Sequence, residues 1–317
     1  MTLPSLLSVR VAAMRYEAER IVSVELVSST GEALPPFAAG AHIDLHLPNS
    51  VVRSYSLSNS PGERERYVVG VLNDRNSRGG SSYVHEKLRV GATIRISVPR
   101  NLFALDASAS HSVLIAGGIG ITPIACMFNE LRQQGKSVEL LYCARSRGEA
   151  AFATTLLPQQ GVTAHFDADA GAPPDLRAIL ATKPASAHFY CCGPTAMLNA
   201  FEAACAALGL ANVHVERFAP AEPVAATQNG SYVAQLARSN KTITVTGGKS
   251  LLDALLEAGV QVEHSCREGI CGACETRVLD GQPDHRDTVL SQAERVAGKS
   301  MMVCVSGCKG QGLTLDL

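Results

Sequence analysis

Cys266, Cys271 and Cys274 are spaced by four and then two residues, and Cys304 follows after 29 more, directly behind the apolar run Met301-Met302-Val303. Three thiols from one tight loop and a fourth from a strand behind it are what a 2Fe–2S cluster needs, and this C-x4-C-x2-C spacing with a distant fourth cysteine is one that ligates it. Gly269 and Gly272 let such a loop wrap closely around an inorganic core. Zinc ribbons also use four cysteines, but they pair two C-x2-C knuckles, and only Cys271 and Cys274 have that separation. Unrelated core cysteines would sit on apolar faces rather than in a Gly-rich, charged loop. Cys308 is an alternative fourth ligand; the apolar strand before Cys304 favours Cys304 and leaves Cys308 as a small buried thiol.

Positioning such a loop takes a scaffold, and 317 residues exceed what one hydrophobic core normally serves, so two or three domains are expected. With 28 basic and 29 acidic residues the formal charge is -1, which gives no electrostatic footprint for nucleic acid. No uninterrupted apolar run of about 18 residues and no leader-like start are found, so neither a membrane span nor a secretory signal is expected. Ten cysteines in that setting point to reduced thiols and metal ligation in the cytoplasm.

From the start to about Leu102 the pattern is β-rich. Ile43, Leu45 and Leu47 alternate with Asp44 and His46, and Ile94, Ile96 and Val98 with Arg95 and Ser97, the period of half-buried strands. Turn signals at Pro35-Pro36, Pro48-Asn49, Pro61-Gly62 and Gly91 fit a small antiparallel barrel. Two polar stretches interrupt it. Arg53-Ser54-Tyr55-Ser56 puts a cation, an aromatic ring and hydroxyls into one strand. Arg78-Gly79-Gly80-Ser81-Ser82 precedes a helix-like segment, where it serves equally as an anion-binding turn or as an ordinary capped loop.

Between about Asp106 and Phe218 strands and helices alternate, which predicts a doubly wound sheet. The buried run Val113 to Ala116 leads into Gly117-Gly118-Ile119-Gly120-Ile121-Thr122-Pro123, where Thr122 is expected to cap and Pro123 to open a helix running to about Gln134. Thr122 and Pro123 stand where a dinucleotide fingerprint has its third glycine, so by itself this turn fits tight packing as well as a pyrophosphate. Cys192-Gly193-Pro194 opens another helix. Ala219 to Asn229 reads as a linker. After it, Ser231 to Leu236 and Thr242 to Val245 read as a hairpin and Leu251 to Ala258 as an amphipathic helix.

Taken together these segments resemble the phthalate dioxygenase reductase family, which includes vanillate O-demethylase reductases, over essentially the whole chain. The resemblance implies an antiparallel β-barrel FMN domain over residues 1–105, a doubly wound α/β NAD domain over 106–222, and a linker with a plant-type β-grasp 2Fe–2S ferredoxin domain over 223–317. In the barrel, Arg53, Ser54, Tyr55 and Ser56 match the flavin strand, with Arg53 on the phosphate, Tyr55 against the isoalloxazine and Ser56 at N5. Val71 and Leu72 match the segment beside the flavin, and Gly79, Gly80, Ser81 and Ser82 the phosphate turn. Gly118, Gly120, Thr122, Pro123, Cys192, Gly193 and Pro194 resemble the nicotinamide-side turns, with Cys192 and Ser56 as the catalytic positions. Glu216-Arg217-Phe218 is similar to the domain end whose aromatic covers the flavin. Asp284-His285-Arg286-Asp287 and Met302 to Ser306 resemble the ferredoxin segment.

The family implies FMN rather than FAD, and the phosphate turn runs straight into its helix with no aromatic insertion for an adenine. NADH is the donor by resemblance. Arg145 and Arg147, near the place of an adenosine ribose, leave NADPH open. Nicotinamide delivers two electrons as one hydride and a 2Fe–2S cluster accepts one, so a flavin must stand between them. The implied partner is a separate terminal Rieske-type oxygenase, docking near Arg267, Glu268 and Ile270 on a monomeric reductase. The rival readings are a stand-alone diaphorase and a non-enzymatic redox sensor.

Overall fold

The computed structural model describes residues 6–219 and 230–317. The chain divides into two compact units, Met1–Phe218 and Ala219–Leu317. From residue 220 the expected linker, and with it the expected 222/223 boundary, lies outside the described residues.

The first unit begins with strands β1 (Leu7–Ala18), β2 (Ile21–Ser28), β3 (Ala41–His46), β4 (Val52–Ser56) and β5 (Arg66–Leu72), then helix α1 (Gly80–Glu86), β6 (Thr93–Ile96) and the short β7 (Arg100–Asn101). They form one antiparallel sheet in the order β4-β3-β6-β1-β2-β5, with β7 on β3, and a Leu57–Val69 bridge ties its two ends into a barrel. Val9, Leu26, Ile43, Leu45, Tyr67 and Val69 fill the interior without measurable exposure. The alternation in β3 predicts polar residues facing water. Instead β3 is covered on both faces, and Asp44 and His42 are buried, because tertiary contacts decide what covers the second face.

The same unit continues with β8 (His111–Gly117), α2 (Ile121–Gln133), β9 (Ser137–Ala144), α3 (Ala153–Leu156), β10 (Val162–Phe166), α4 (Asp167–Ala170), α5 (Leu176–Leu180), β11 (His188–Cys192), α6 (Thr195–Ala207) and β12 (Val213–Glu216). The five strands are parallel in the order β10-β9-β8-β11-β12, so the winding reverses between β8 and β11. In such sheets ligands bind outside the carboxyl ends of the strands at that reversal. The register brings Gly117 opposite Cys143 and Ala116 opposite Cys192, so the two glycine turns leave the sheet side by side.

The second unit has β13 (Tyr232–Leu236), β14 (Lys241–Val245), α7 (Leu251–Glu257), β15 (Glu275–Asp284), α8 (Gln292–Ala297), β16 (Ser300–Met302) and β17 (Gly307–Leu315). Its sheet runs β14-β13-β17-β15-β16, with β13 and β17 parallel. The apolar face of α7, Leu251, Leu252 and Leu255, packs with Met301, Met302 and Leu313. Ser250 caps that helix by accepting from the Asp253 amide at 3.0 Å.

Candidate flavin, nucleotide and cluster sites

In β4, neighbouring side chains point to opposite faces. Arg53 meets the Arg78–Gly80 turn: its Nη2 donates to the Arg78 carbonyl at 3.2 Å and its Nη1 to the Val52 carbonyl at 2.7 Å. A Cβ on Gly80 would lie 2.6 Å from Arg53 Cγ, so the turn needs glycine for the guanidinium to cross it, and Gly79 has φ +87°. The cap of α1 is Gly79 and no serine side chain closes the helix. Ser81 and Ser82 instead bond to Ser77: Ser81 Oγ donates to Ser77 Oγ at 2.9 Å, and the Ser82 amide donates to the same atom at 3.2 Å. Ser77, outside the glycine turn, carries no sequence signal of this part. A cationic fork beside a glycine turn rich in hydroxyls fits a phosphate.

Tyr55 is half-buried against the barrel core, and burial pushes its phenol up to about 12 despite Arg53 nearby. Leu72 packs toward the core shared with α2, whereas the Val71 side chain is inside the barrel and its carbonyl is engaged by His85 Nε2 at 2.9 Å. Val71 therefore has no side chain to offer a flavin. Ser54 also departs from expectation: its hydroxyl turns away from the Arg53 face and donates to Asp44 Oδ1 at 2.6 Å.

Ser56 Oγ donates to Glu216 Oε2 at 3.4 Å. Burial lifts the Glu216 carboxyl to about 8, only partly offset by the Ser56 hydroxyl, so the group is mostly protonated at neutral pH. In the sequence Glu216 carries no mark of such a role, since nothing local links it to Ser56 160 residues away. Cys192 is fully buried at the end of β11, and burial, with Glu216 adding to it, pushes its thiol well above the ordinary range. Its thiol therefore stays protonated and forms part of the wall beside the two glycine turns. Phe218, the aromatic at the end of the first unit, is exposed.

The two glycine turns interlock. A Cβ on Gly120 would lie 2.2 Å from the Cys192 carbonyl oxygen, and one on Gly117 2.7 Å from Pro194 Cδ. A Cβ on Gly193 would lie 3.1 Å from Gly117 Cα, while Gly118, at φ +54°, faces open space. The expected cap is displaced: α2 starts at Ile121, Thr122 lies in its first turn with Pro123 behind it, and Thr122 Oγ1 donates to the Ile119 carbonyl at 3.0 Å. Its methyl faces Gly70 of β5, where a Cβ would be 2.6 Å away, so Thr122 fastens the helix to the barrel. Beyond β9, Arg147 is taken up by Asp169 at 3.1 Å and lies over the Phe166 ring at 4.8 Å. Arg145 is exposed with no side-chain partner among the described residues.

In the second unit Cys266, Cys271, Cys274 and Cys304 are all buried and their thiols interact. Cys266 meets Cys271 and Cys304, and Cys274 meets Cys304. Crowded thiols can all ionise only if cations share the charge, which is the donor chemistry of an iron–sulfur core. The loop amides add to this, with the Glu268 N–H donating to Cys266 Sγ at 3.3 Å. Gly269, at φ +70°, is packed so tightly that a Cβ would meet Val305 at 2.6 Å and Asp287 Cα at 3.0 Å. Among the described residues no three His, Cys, Asp or Glu side chains gather around a point suited to one metal ion. Cys308 bonds within its own turn, donating to the Gly312 carbonyl at 3.4 Å.

Comparison with known proteins agrees with this layout. The family model described as "2Fe-2S iron-sulfur cluster binding domain" matches residues 234–309. The chain is 36% identical to a solved phthalate dioxygenase reductase, over 99% of this chain and 98% of that one, with a TM-score of 0.74. The chain belongs to the phthalate dioxygenase reductase family. Within this family it is 52% identical to the phenoxybenzoate dioxygenase subunit beta of Ectopseudomonas oleovorans, covering 98% of this chain and 97% of that protein. It is 42% identical to a vanillate O-demethylase oxidoreductase of Pseudomonas sp. (strain HR199 / DSM 7063), covering 98% and 100%. The solved member is described as modular, for electron transfer from pyridine nucleotides to [2Fe-2S]. Membership makes the chain an oxidoreductase with a barrel, a doubly wound domain and a 2Fe–2S domain.

Proposed function

We propose that this chain is the reductase component of a two-component oxygenase, taking a hydride from NADH onto FMN and delivering single electrons through its 2Fe–2S cluster to a separate Rieske-type terminal oxygenase. The observation that carries the reading is the presence, in one polypeptide, of the four-thiol cradle and of a parallel sheet whose two glycine turns meet at its winding reversal. When bound, FMN and the cluster supply the conversion of an electron pair into single electrons.

The chain's own residues bind, orient and hold protons. Arg53 and the Gly79–Ser82 turn would hold the flavin phosphate, and Tyr55, neutral because its phenol is buried, would offer its ring to the flavin. Ser56 stands where flavin N5 is expected, and Glu216 behind it keeps a proton on a carboxyl oxygen at neutral pH. Gly118, Gly120, Gly193 and Pro194 bring backbone, not side chains, to the nicotinamide nucleotide, so the hydride donor can come close. Cys192 presents a protonated thiol that excludes water. Cys266, Cys271, Cys274 and Cys304 ligate iron.

The domain division 1–105, 106–222 and 223–317 is part of the proposal, supported by the change from antiparallel to parallel pairing between Asn101 and His111. A monomeric cytoplasmic protein is also proposed, as suits a reductase that must present its cluster edge to a separate oxygenase. No helix among the described residues is long and apolar enough to cross a membrane. The partner is proposed to dock near the cluster loop at Arg267, Glu268 and Ile270. The test is anaerobic: purified protein is expected to carry two acid-labile sulfides and two irons for every flavin and to reduce cytochrome c with NADH. Intact protein with one chromophore missing and no NADH-dependent electron output would end the reading.

A further inference from the structure

β4 carries the proposed flavin contacts, yet it is an end strand of its sheet path: its ladder partner is β3, and beyond its end only the isolated Leu57–Val69 bridge reaches β5. A strand held along one edge can slip, and a slip of one residue exchanges its two faces. Directly opposite Ser54 in the ladder is Asp44, which is 3% exposed. Its Oδ1 accepts from Ser54 Oγ at 2.6 Å and its Oδ2 from Arg100 Nη2 of β7 at 2.7 Å. Its amide donates to Ser97 Oγ at 2.9 Å, and its carbonyl accepts from the Ser97 amide at 3.0 Å. The carboxylate thus ties β3 to β4 and β7, and the backbone of the same residue ties it to the chain leaving β6.

A buried ion pair is seldom more stabilising than apolar packing, but it is good at fixing register, because any other register leaves a charge unpaired. Burial pushes the Asp44 carboxyl up, and Arg100, the Ser54 hydroxyl and His42 together outweigh it, so the group stays ionised. His42 is the cross-strand partner of Ser56, so the same polar face continues to the Ser56–Glu216 pair.

The geometry points to Asp44, with Arg100 as its countercharge, as a positioning residue that anchors Ser54 and thereby aims Arg53 and Tyr55 at the flavin. This rests on the FMN reading of β4. Asp44 touches neither the phosphate turn nor the proposed nicotinamide turns, so it acts through the strand.

The test titrates flavin-free full-length protein with FMN, following quenching of flavin fluorescence, and records melting temperatures of the same samples. Asp44→Asn is expected to raise the FMN dissociation constant about tenfold and Ser54→Ala about threefold, while Ser54→Thr, which keeps the hydroxyl, restores parental affinity. A role confined to fold stability predicts lowered melting temperatures with FMN affinity within twofold of the parent, and that result overturns the inference. If Asp44→Asn does not fold, the Ser54→Ala and Ser54→Thr pair decides alone. Parent protein that binds no FMN refutes the flavin reading itself, whereas a binding parent with unaffected variants refutes only the anchor.

Discussion

The Ser56 hydroxyl donates to the Glu216 carboxyl at 3.4 Å and joins positions 160 residues apart, one at the end of a barrel strand and one at the end of the last parallel strand. This pair brings a protonated carboxyl to the residue expected at flavin N5. Ser56→Ala is expected to slow flavin bleaching by NADH about tenfold in rapid mixing, with FMN content retained. Unchanged bleaching would remove Ser56 from the reaction.

Glu216 also leaves a mark on stability. Its carboxyl titrates near 8 in the folded chain against an ordinary 4.5, so below 4.5 both states are protonated and the group has no effect. As pH rises from there toward 8, the unfolded chain gives up a proton that the folded chain keeps, and stability falls by a few kcal/mol, on the order of 4. Above 8 the slope vanishes. Glu216→Gln is expected to flatten that window in urea unfolding midpoints; an equal slope in parent and variant would refute the assignment.

Two glycines of one turn separate a packing effect from a backbone effect. At Gly120 an added methyl would run into the Cys192 carbonyl at 2.2 Å, so Gly120→Ala is expected to lose about 3 kcal/mol or more of stability. Gly118 faces open space but has φ +54°, so Gly118→Ala is expected to lose only about 1 kcal/mol. Denaturant midpoints check both, and equal losses would mean that the turns do not interlock.

Cys304 and Cys308 are four residues apart and both buried, but only Cys304 meets the other cluster thiols. Cys304→Ser is expected to strip most iron and acid-labile sulfide from the purified protein, and Cys308→Ser to retain both. The reverse pattern would exchange their roles.

Arg147 is already held by Asp169, which leaves Arg145 as the guanidinium at hand for a 2′-phosphate. Arg145→Ala is expected to raise KM for NADPH about tenfold while KM for NADH stays within twofold. A parallel rise in both would assign Arg145 to the pyrophosphate or to folding instead.

The cysteine spacing determined the cluster domain by itself, because three ligands lie within nine residues and local loop geometry brings them together. The order of barrel, parallel sheet and ferredoxin segment was equally legible, since strand alternation, buried runs and glycine turns are local signals. Local signals erred where a side chain had two possible partners. Thr122 reads as a cap but fastens α2 to Gly70, and Asp44 reads as solvent-facing but is buried and bonded to Ser54. Only the tertiary structure decided these, because alternation says which residues share a face and not what covers it. The pairing of Ser56 with Glu216 is of the same kind: neither residue carries a mark of the other, and the contact exists only once the barrel and the parallel sheet are packed together.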